Sequence, residues 1–199
     1  MVLRTVRISA TVLCLSVGLA PAAIRAQAAP LVVEVRAGAS IPFGEFSSGS
    51  RVGEGAASGP SFGVRLAMSG SGRRTLYGGF SQHRFACEDA GCPKGSDFVA
   101  TGVDAGIQVN LLTRGSIVPW LRLGGLTTRV ESPGLPGSPG GVSSLGWGGE
   151  VGLGIYLGAT SPVALNPGIR MVAVNTELPG GSLLRMRYIA ADLGLALAF

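Results

Sequence analysis

From Phe98 to Leu112 the chain reads FVATGVDAGIQVNLL, and its chemistry changes with every residue. In an extended strand successive side chains point to opposite sides. Val99, Val103, Ala105, Ile107, Val109 and Leu111 therefore share one face, and Gly102, Asp104, Gly106, Gln108 and Asn110 share the other. A period of two held this long excludes an amphipathic helix and calls for a sheet with a different environment on each side. In LGWGGEVGLGIYLG, the residues Leu145, Trp147, Val151, Leu153, Ile155 and Leu157 oppose Gly146, Gly148, Glu150, Gly152, Gly154 and Tyr156. In RYIAADLGLALAF, the residues Ile189, Ala191, Leu193, Leu195, Leu197 and Phe199 oppose Tyr188, Asp192, Gly194 and small alanines.

Five further segments carry the pattern less cleanly. Leu31 to Gly38 sets Leu31, Val33 and Val35 against Glu34 and Arg36, and Ser61 to Ser69 sets Phe62, Val64, Leu66 and Met68 against Gly63, Arg65 and Ala67. Thr75 to Phe85 is interrupted by glycine, with Leu76 and Phe80 on one face. Ile117 to Val130 sets Leu121 and Leu123 against Trp120, Arg122 and Gly124, and Val163 to Val174 sets Leu165, Ile169 and Met171 against Asn166 and Arg170. Long connections such as ASIPFGEFSSGSRVGEGAASGP, ACEDAGCPKGSD and ESPGLPGSPGGVSS alternate with the short GSGRR, TRGS and GATSP, and TELPGGS links the last pair. The reading is all-β: about eight antiparallel strands, with long loops gathered at one end and tight turns at the other.

The first thirty residues stand apart. MVLRTVRISATVLCLSVGLAPAAIRAQAAP has Arg4 and Arg7, an apolar run from Ile8 to Ala20, and small residues that suit cleavage after Ala26 or Ala28. This is the pattern of a secretory signal peptide over residues 1–26, with 27–199 as the mature domain. The apolar run is short of the ~20 residues a spanning helix needs. TVLC lacks the small residues expected before a lipoprotein cysteine at Cys14. The formal charge of +5 owes much to this leader: without Arg4, Arg7 and Arg25, the sixteen basic residues become thirteen against eleven acidic ones. So small an excess is no electrostatic footprint for nucleic acid. With 33 glycines but no collagen period, and 46% hydrophobic residues, the chain has a packed structure.

The charges decide which face is inside. In hydrocarbon a barrel turns its apolar face outward, so Glu34, Arg36, Arg65, Asp104, Arg122, Glu150, Arg170 and Asp192 would share one lumen, four acids with four bases. Eight strands enclose a space that side chains alone can fill, which predicts interlocked ion pairs instead of an open pore. A soluble lipocalin-like barrel, with those charges in water and an apolar interior for a ligand, is the alternative.

The leader, the alternation, the GASIPFGEF stretch leading into a long first loop and the terminal aromatic together resemble the small outer-membrane β-barrel proteins of the OmpX and OmpA transmembrane-domain type. The resemblance covers Ala28 to Phe199 and implies an eight-stranded antiparallel transmembrane β-barrel in the outer membrane of a Gram-negative type envelope, after Sec-type export. It implies that Leu193, Leu195, Leu197 and Phe199 form the segment read by the barrel assembly machinery. Outer-membrane lipids are the other expected partner; the surface ligand is unspecified and no cofactor is implied. A barrel has no free edge, which is a physical reason for the last strand to run alternating to its end.

Cys87 and Cys92, in ACEDAGCPKG, suit a loop disulfide after export, and two thiols with a distant His83 are too few for a metal site. Ser81 and His83 lie two residues apart and so on one side of a strand, the residue types of a lipid hydrolase, but no G-x-S-x-G context surrounds them and no acid is identified. The glycines of GGEVGLGIYLG form no phosphate loop, since neither a helix nor a Lys-Ser/Thr pair follows. The expectation is a non-enzymatic barrel serving envelope integrity or surface interaction. A lipid-modifying hydrolase and a soluble binding barrel are its rivals.

Overall fold

The computed structural model describes residues 31–47, 55–70, 73–88, 95–133 and 140–199. The leader and Cys92 lie outside the described residues. The alternating segments form strands β1 (Leu31–Pro42), β2 (Gly59–Ser69), β3 (Arg74–Ala86), β4 (Asp97–Asn110) and β5 (Ile117–Ser132). A two-residue strand β6 (Gly141–Val142) extends the ladder at the end of β5, and β7 (Gly146–Leu157), β8 (Val163–Glu177) and β9 (Leu183–Ala198) complete the wall. The eight long strands pair antiparallel in the order β4-β3-β2-β1-β9-β8-β7-β5, and a β4–β5 ladder closes the ring. First and last strands meet from Val32 against Ala198 to Pro42 against Tyr188. Among the described residues no helix is long and apolar enough to cross a membrane.

The outer wall is apolar on every long strand: Val35, Leu66, Leu76, Val103, Leu123, Leu153, Ile169 and Leu193 are all exposed. Strands of 11 to 16 residues reach or exceed the ~9–11 that a tilted strand needs to cross hydrocarbon. The excess lies at the long-loop end, where the polarity inverts. On β9, Arg185 and Arg187 face outward while Leu184 and Met186 face inward; on β8, Asn175 and Glu177 face out while Val172 and Val174 face in. β3 and β5 do the same, with Arg84 outside Phe85 and Arg129 outside Val130. The outward face is therefore apolar around the middle of the barrel and polar at its long-loop end.

Two sequence expectations are corrected here. β1 continues through Ala39–Pro42, assigned above to the first loop, and β9 begins at Leu183 instead of Arg187, because these ends pair with each other and with β8 above the apolar belt. The interior is also not charged throughout. Its long-loop end holds an apolar core in which Phe46, from the 3-10 turn Gly44–Phe46, packs edge-on against Phe85 at 5.0 Å and Phe98 at 5.8 Å. The β8–β9 connection is short as well, turning on Gly180 and Gly181 at φ of 102° and 83°, a backbone region that favours glycine.

Candidate functional site

The middle of the barrel is occupied by charge. Glu34 and Arg36 come from β1, Arg65 from β2, Asp104 from β4, Arg122 from β5, Glu150 from β7, Arg170 from β8 and Asp192 from β9. Each projects inward because it shares the polar phase of its strand. Glycines across the ladder make room for these long side chains: Arg36 lies between Gly63 and Gly194, Arg65 and Asp104 face Gly79, Glu150 faces Gly124, and Arg122 and Arg170 flank Gly152. A charged residue beside a residue without a side chain can lie across the wall and reach the next strand.

The eight groups form one connected network. Arg65, only 1% exposed, reaches Glu34 at 3.5 Å, Asp104 at 3.1 Å and Glu150 at 3.6 Å. Arg36 pairs with Asp104 at 3.2 Å and Arg122 with Glu34 at 3.9 Å, and Arg170 bridges Glu150 at 2.8 Å and Asp192 at 2.7 Å. β3 supplies no charge to the cluster but contributes Tyr77, whose hydroxyl donates to Glu150 at 2.7 Å and whose ring lies under the guanidinium groups of Arg65 and Arg122 at 4.6 and 4.9 Å. Asn166 donates to Glu34 at 2.8 Å and accepts from Trp120 Nε1 at 2.7 Å, while Arg122 donates to Gln108 at 2.6 Å. Tyr77, Trp120, Gln108 and Asn166 were not singled out from the sequence as members of this cluster, although Trp120, Gln108 and Asn166 share the inward phase of their strands.

Three levels therefore stack along the axis. At the short-turn end a vestibule of about 450 Å³ is walled by Ala67, Thr75, Val118, Ala164 and Ala196, with Gln108 and Tyr156 deeper in. The charge network fills the middle, and the apolar core closes the long-loop end. His83 lies between the last two, its Nδ1 2.7 Å from Ser40 Oγ and its ring 4.9 Å from that of Tyr188. Ser61 donates to Asp192 at 3.1 Å at a similar height.

The other sequence candidates are placed as follows. Leu193, Leu195, Leu197 and Phe199 are exposed on the outer wall, and Phe199 N–H donates to Leu31 O at 2.9 Å. Ser81 and His83 are on the inward phase of β3, turned away from the apolar outer wall. Cys87 is buried at the start of the β3–β4 connection, and its pairing with Cys92 falls outside the described residues. Among the described residues no three His, Cys, Asp or Glu side chains come together as a metal-ligand set.

No protein-family model matches the chain, and no curated protein matches it. Solved structures do. Neisserial surface protein A, NspA, superposes with a TM-score of 0.61 at 16% identity, over 85% of this chain and 97% of that one. OprG from Pseudomonas aeruginosa gives 0.60 at 12% identity, covering 86% and 96%. This is the fold of the small eight-stranded outer-membrane barrels. Ail, the attachment invasion locus protein of Yersinia pestis, solved with the heparin analogue sucrose octasulfate, shares the outer-membrane barrel fold at a TM-score of 0.55 and 12% identity, covering 86% and 99%.

Proposed function

We propose that the chain is a non-enzymatic barrel of the outer membrane of a Gram-negative type envelope, exported by a cleaved leader, with a closed lumen and surface loops that serve envelope integrity or contact with the outside. The observation that carries this reading is the inverted polarity of the wall: apolar side chains outward around the ring, and a buried octet of four acids and four bases inside. A protein in water would expose the charges and bury the leucines. Outer-membrane lipids are then its solvent, and the barrel assembly machinery, reading Leu193 to Phe199, its partner in biogenesis.

The rival readings find less support. A hydrolase acting on lipid needs its serine and histidine at the lipid-facing wall, whereas His83 is buried against Ser40 inside. A soluble carrier needs an enclosed apolar ligand cavity, whereas the vestibule opens at the short-turn end and mixes Val32, Leu112 and Val118 with Thr75, Gln108, Asn110 and Tyr156. The long loops suit a surface role, and Ail, which shares the fold, was solved in complex with the heparin analogue sucrose octasulfate. The Cys87–Cys92 link would be a staple within one such loop.

The test is refolding into phosphatidylcholine vesicles followed by unheated and heated gel electrophoresis. A compact, protease-resistant species whose mobility shifts on boiling is expected. A protein that folds in buffer and stays there would overturn the reading.

A further inference from the structure

The two rims differ in charge. At the long-loop end, exposed Arg84, Arg129, Arg185 and Arg187 share the surface with Glu45, Glu88, Asp97, Glu131 and Glu177, and Arg185 lies 3.7 Å from Glu45. At the short-turn end the described residues carry three exposed charged side chains, Arg73, Arg74 and Arg114, and no Asp or Glu. All three fall on one sector. Arg74 faces Val109 across the β3–β4 ladder, Asn110 N–H donates to Arg73 O at 2.8 Å, and the chain runs from Asn110 directly into the turn that bears Arg114. The remaining short turn at this end, Gly158–Pro162, is uncharged. Among the described residues, the ion pairs leave all three arginines out.

Their height on the wall matters as much as their sign. Arg74 shares the outward phase of β3 with Leu76, two residues further into the apolar belt, and exposed Leu111 and Leu112 lead into the Arg114 turn. Arginine at such a border lays its aliphatic stem on hydrocarbon and its guanidinium among headgroups, where the planar fork matches phosphate oxygens.

We propose that this β3–β4–β5 sector of the short-turn rim is a binding surface for anionic phospholipid headgroups, engaging the phosphate and so holding acidic lipid in the leaflet at that end. The assignment rests on the membrane reading above. Charge complementarity selects the occupant: an unpaired basic sector joined to an apolar wall matches an acidic headgroup joined to acyl chains. Basic side chains near an anionic membrane surface each favour binding by roughly fivefold, an effect that salt screens.

The experiment compares three proteins in bilayers of phosphatidylcholine with a minority of phosphatidylglycerol: the parent, Arg73→Gln/Arg74→Gln/Arg114→Gln, and the long-loop control Arg185→Gln/Arg187→Gln. Lipids retained after mild detergent extraction are counted by mass spectrometry. The parent should be enriched in phosphatidylglycerol. The triple variant should lose that enrichment severalfold, the control should keep it, and raised salt should reduce it in the parent. Absence of enrichment in the parent, survival of it in the triple variant, or equal loss in the control overturns the proposal. The substituted side chains are exposed and only main-chain atoms of this turn bond to β4, so all three proteins should insert. Heat-modifiable mobility checks that insertion in phosphatidylcholine alone, which separates failure of the membrane reading from failure of this one.

Discussion

Arg65 sits where three carboxylates converge, and its removal tests whether the lumen depends on charge balance. A buried ion pair contributes little net stability compared with an apolar replacement of both partners, yet deleting one partner leaves the other charge stranded. Arg65→Met should therefore lower the unfolding free energy by about 3–5 kcal/mol, read from urea titration of the vesicle-refolded barrel. Arg185→Gln, which breaks an exposed pair, should change it by less than about 1 kcal/mol. Gly124 offers a steric test, since a Cβ there would meet the Tyr77 hydroxyl. Gly124→Ala should cost about 1–3 kcal/mol by overpacking, and the part of that cost due to the Tyr77 hydroxyl, though not the part due to the Ala105 carbonyl oxygen 2.8 Å away, should vanish in a Tyr77→Ala background, a non-additivity a double-mutant cycle detects. The charged members of the cluster were legible because each interrupts a period-two run of apolar residues. Tyr77 was not: Gly78 and Gly79 break the run around it, and a tyrosine between Leu76 and Gly78 fits either face.

β9 shows at the scale of an element where pattern reading stops. Its lower half alternates apolar-out and polar-in down to Phe199, and that half was legible. Leu183 to Met186 was not read as strand, because above the belt the phase stays the same while the chemistry inverts, so the arginines face out and Leu184 and Met186 face in. A search for one polarity per strand loses the signal at that point. A search that allowed the polarity of the two faces to invert along one strand would have found it, and the inward Val172, Val174 and Phe85 too. The same element carries a prediction about assembly. β9 pairs with β1 up to Val32–Ala198 and with β8 through Val163–Leu197, so one residue inserted between Ala190 and Ala191 puts the two halves of β9 out of phase. One half must then turn Asp192 or Arg187 the wrong way. The insertion should abolish heat-modifiable barrel in outer-membrane fractions. Deletion of Phe199 should lower its yield by more than the burial of a side chain that is 76% exposed can explain. Equal yields from the parent, the insertion and the deletion would contradict the closing role of this strand.

On the closed-lumen reading proposed above, the whole molecule has two barriers in series between its ends, and they are different in kind. The apolar core at the long-loop end excludes ions because it offers them no hydrogen bonds, and it depends on Phe46 wedged against Phe85 and Phe98. The network below it blocks by occupation: every guanidinium in it is held by a carboxylate, and Arg65 has one at 3.1 Å on β4 and another at 3.6 Å on β7, across the bore from β2. An ion crossing here would have to displace several mutual partners at once. On that reading the vestibule of about 450 Å³ is a blind recess entered from the short-turn end. In planar bilayers the parent should show no stable conductance steps, and large porin-like steps would contradict the closed lumen. Loosening one barrier alone should change little. Phe46→Ser should admit water and small probes from the long-loop side, detectable as faster amide exchange at Phe85 and Phe98, while leaving conductance at the parent's level because the network still fills the bore. Adding Arg65→Met to Phe46→Ser should produce irregular openings, because the second barrier then lacks its central cation. Steady conductance from Phe46→Ser alone would show that the charges do not seal the barrel and that the aromatic core is its only gate.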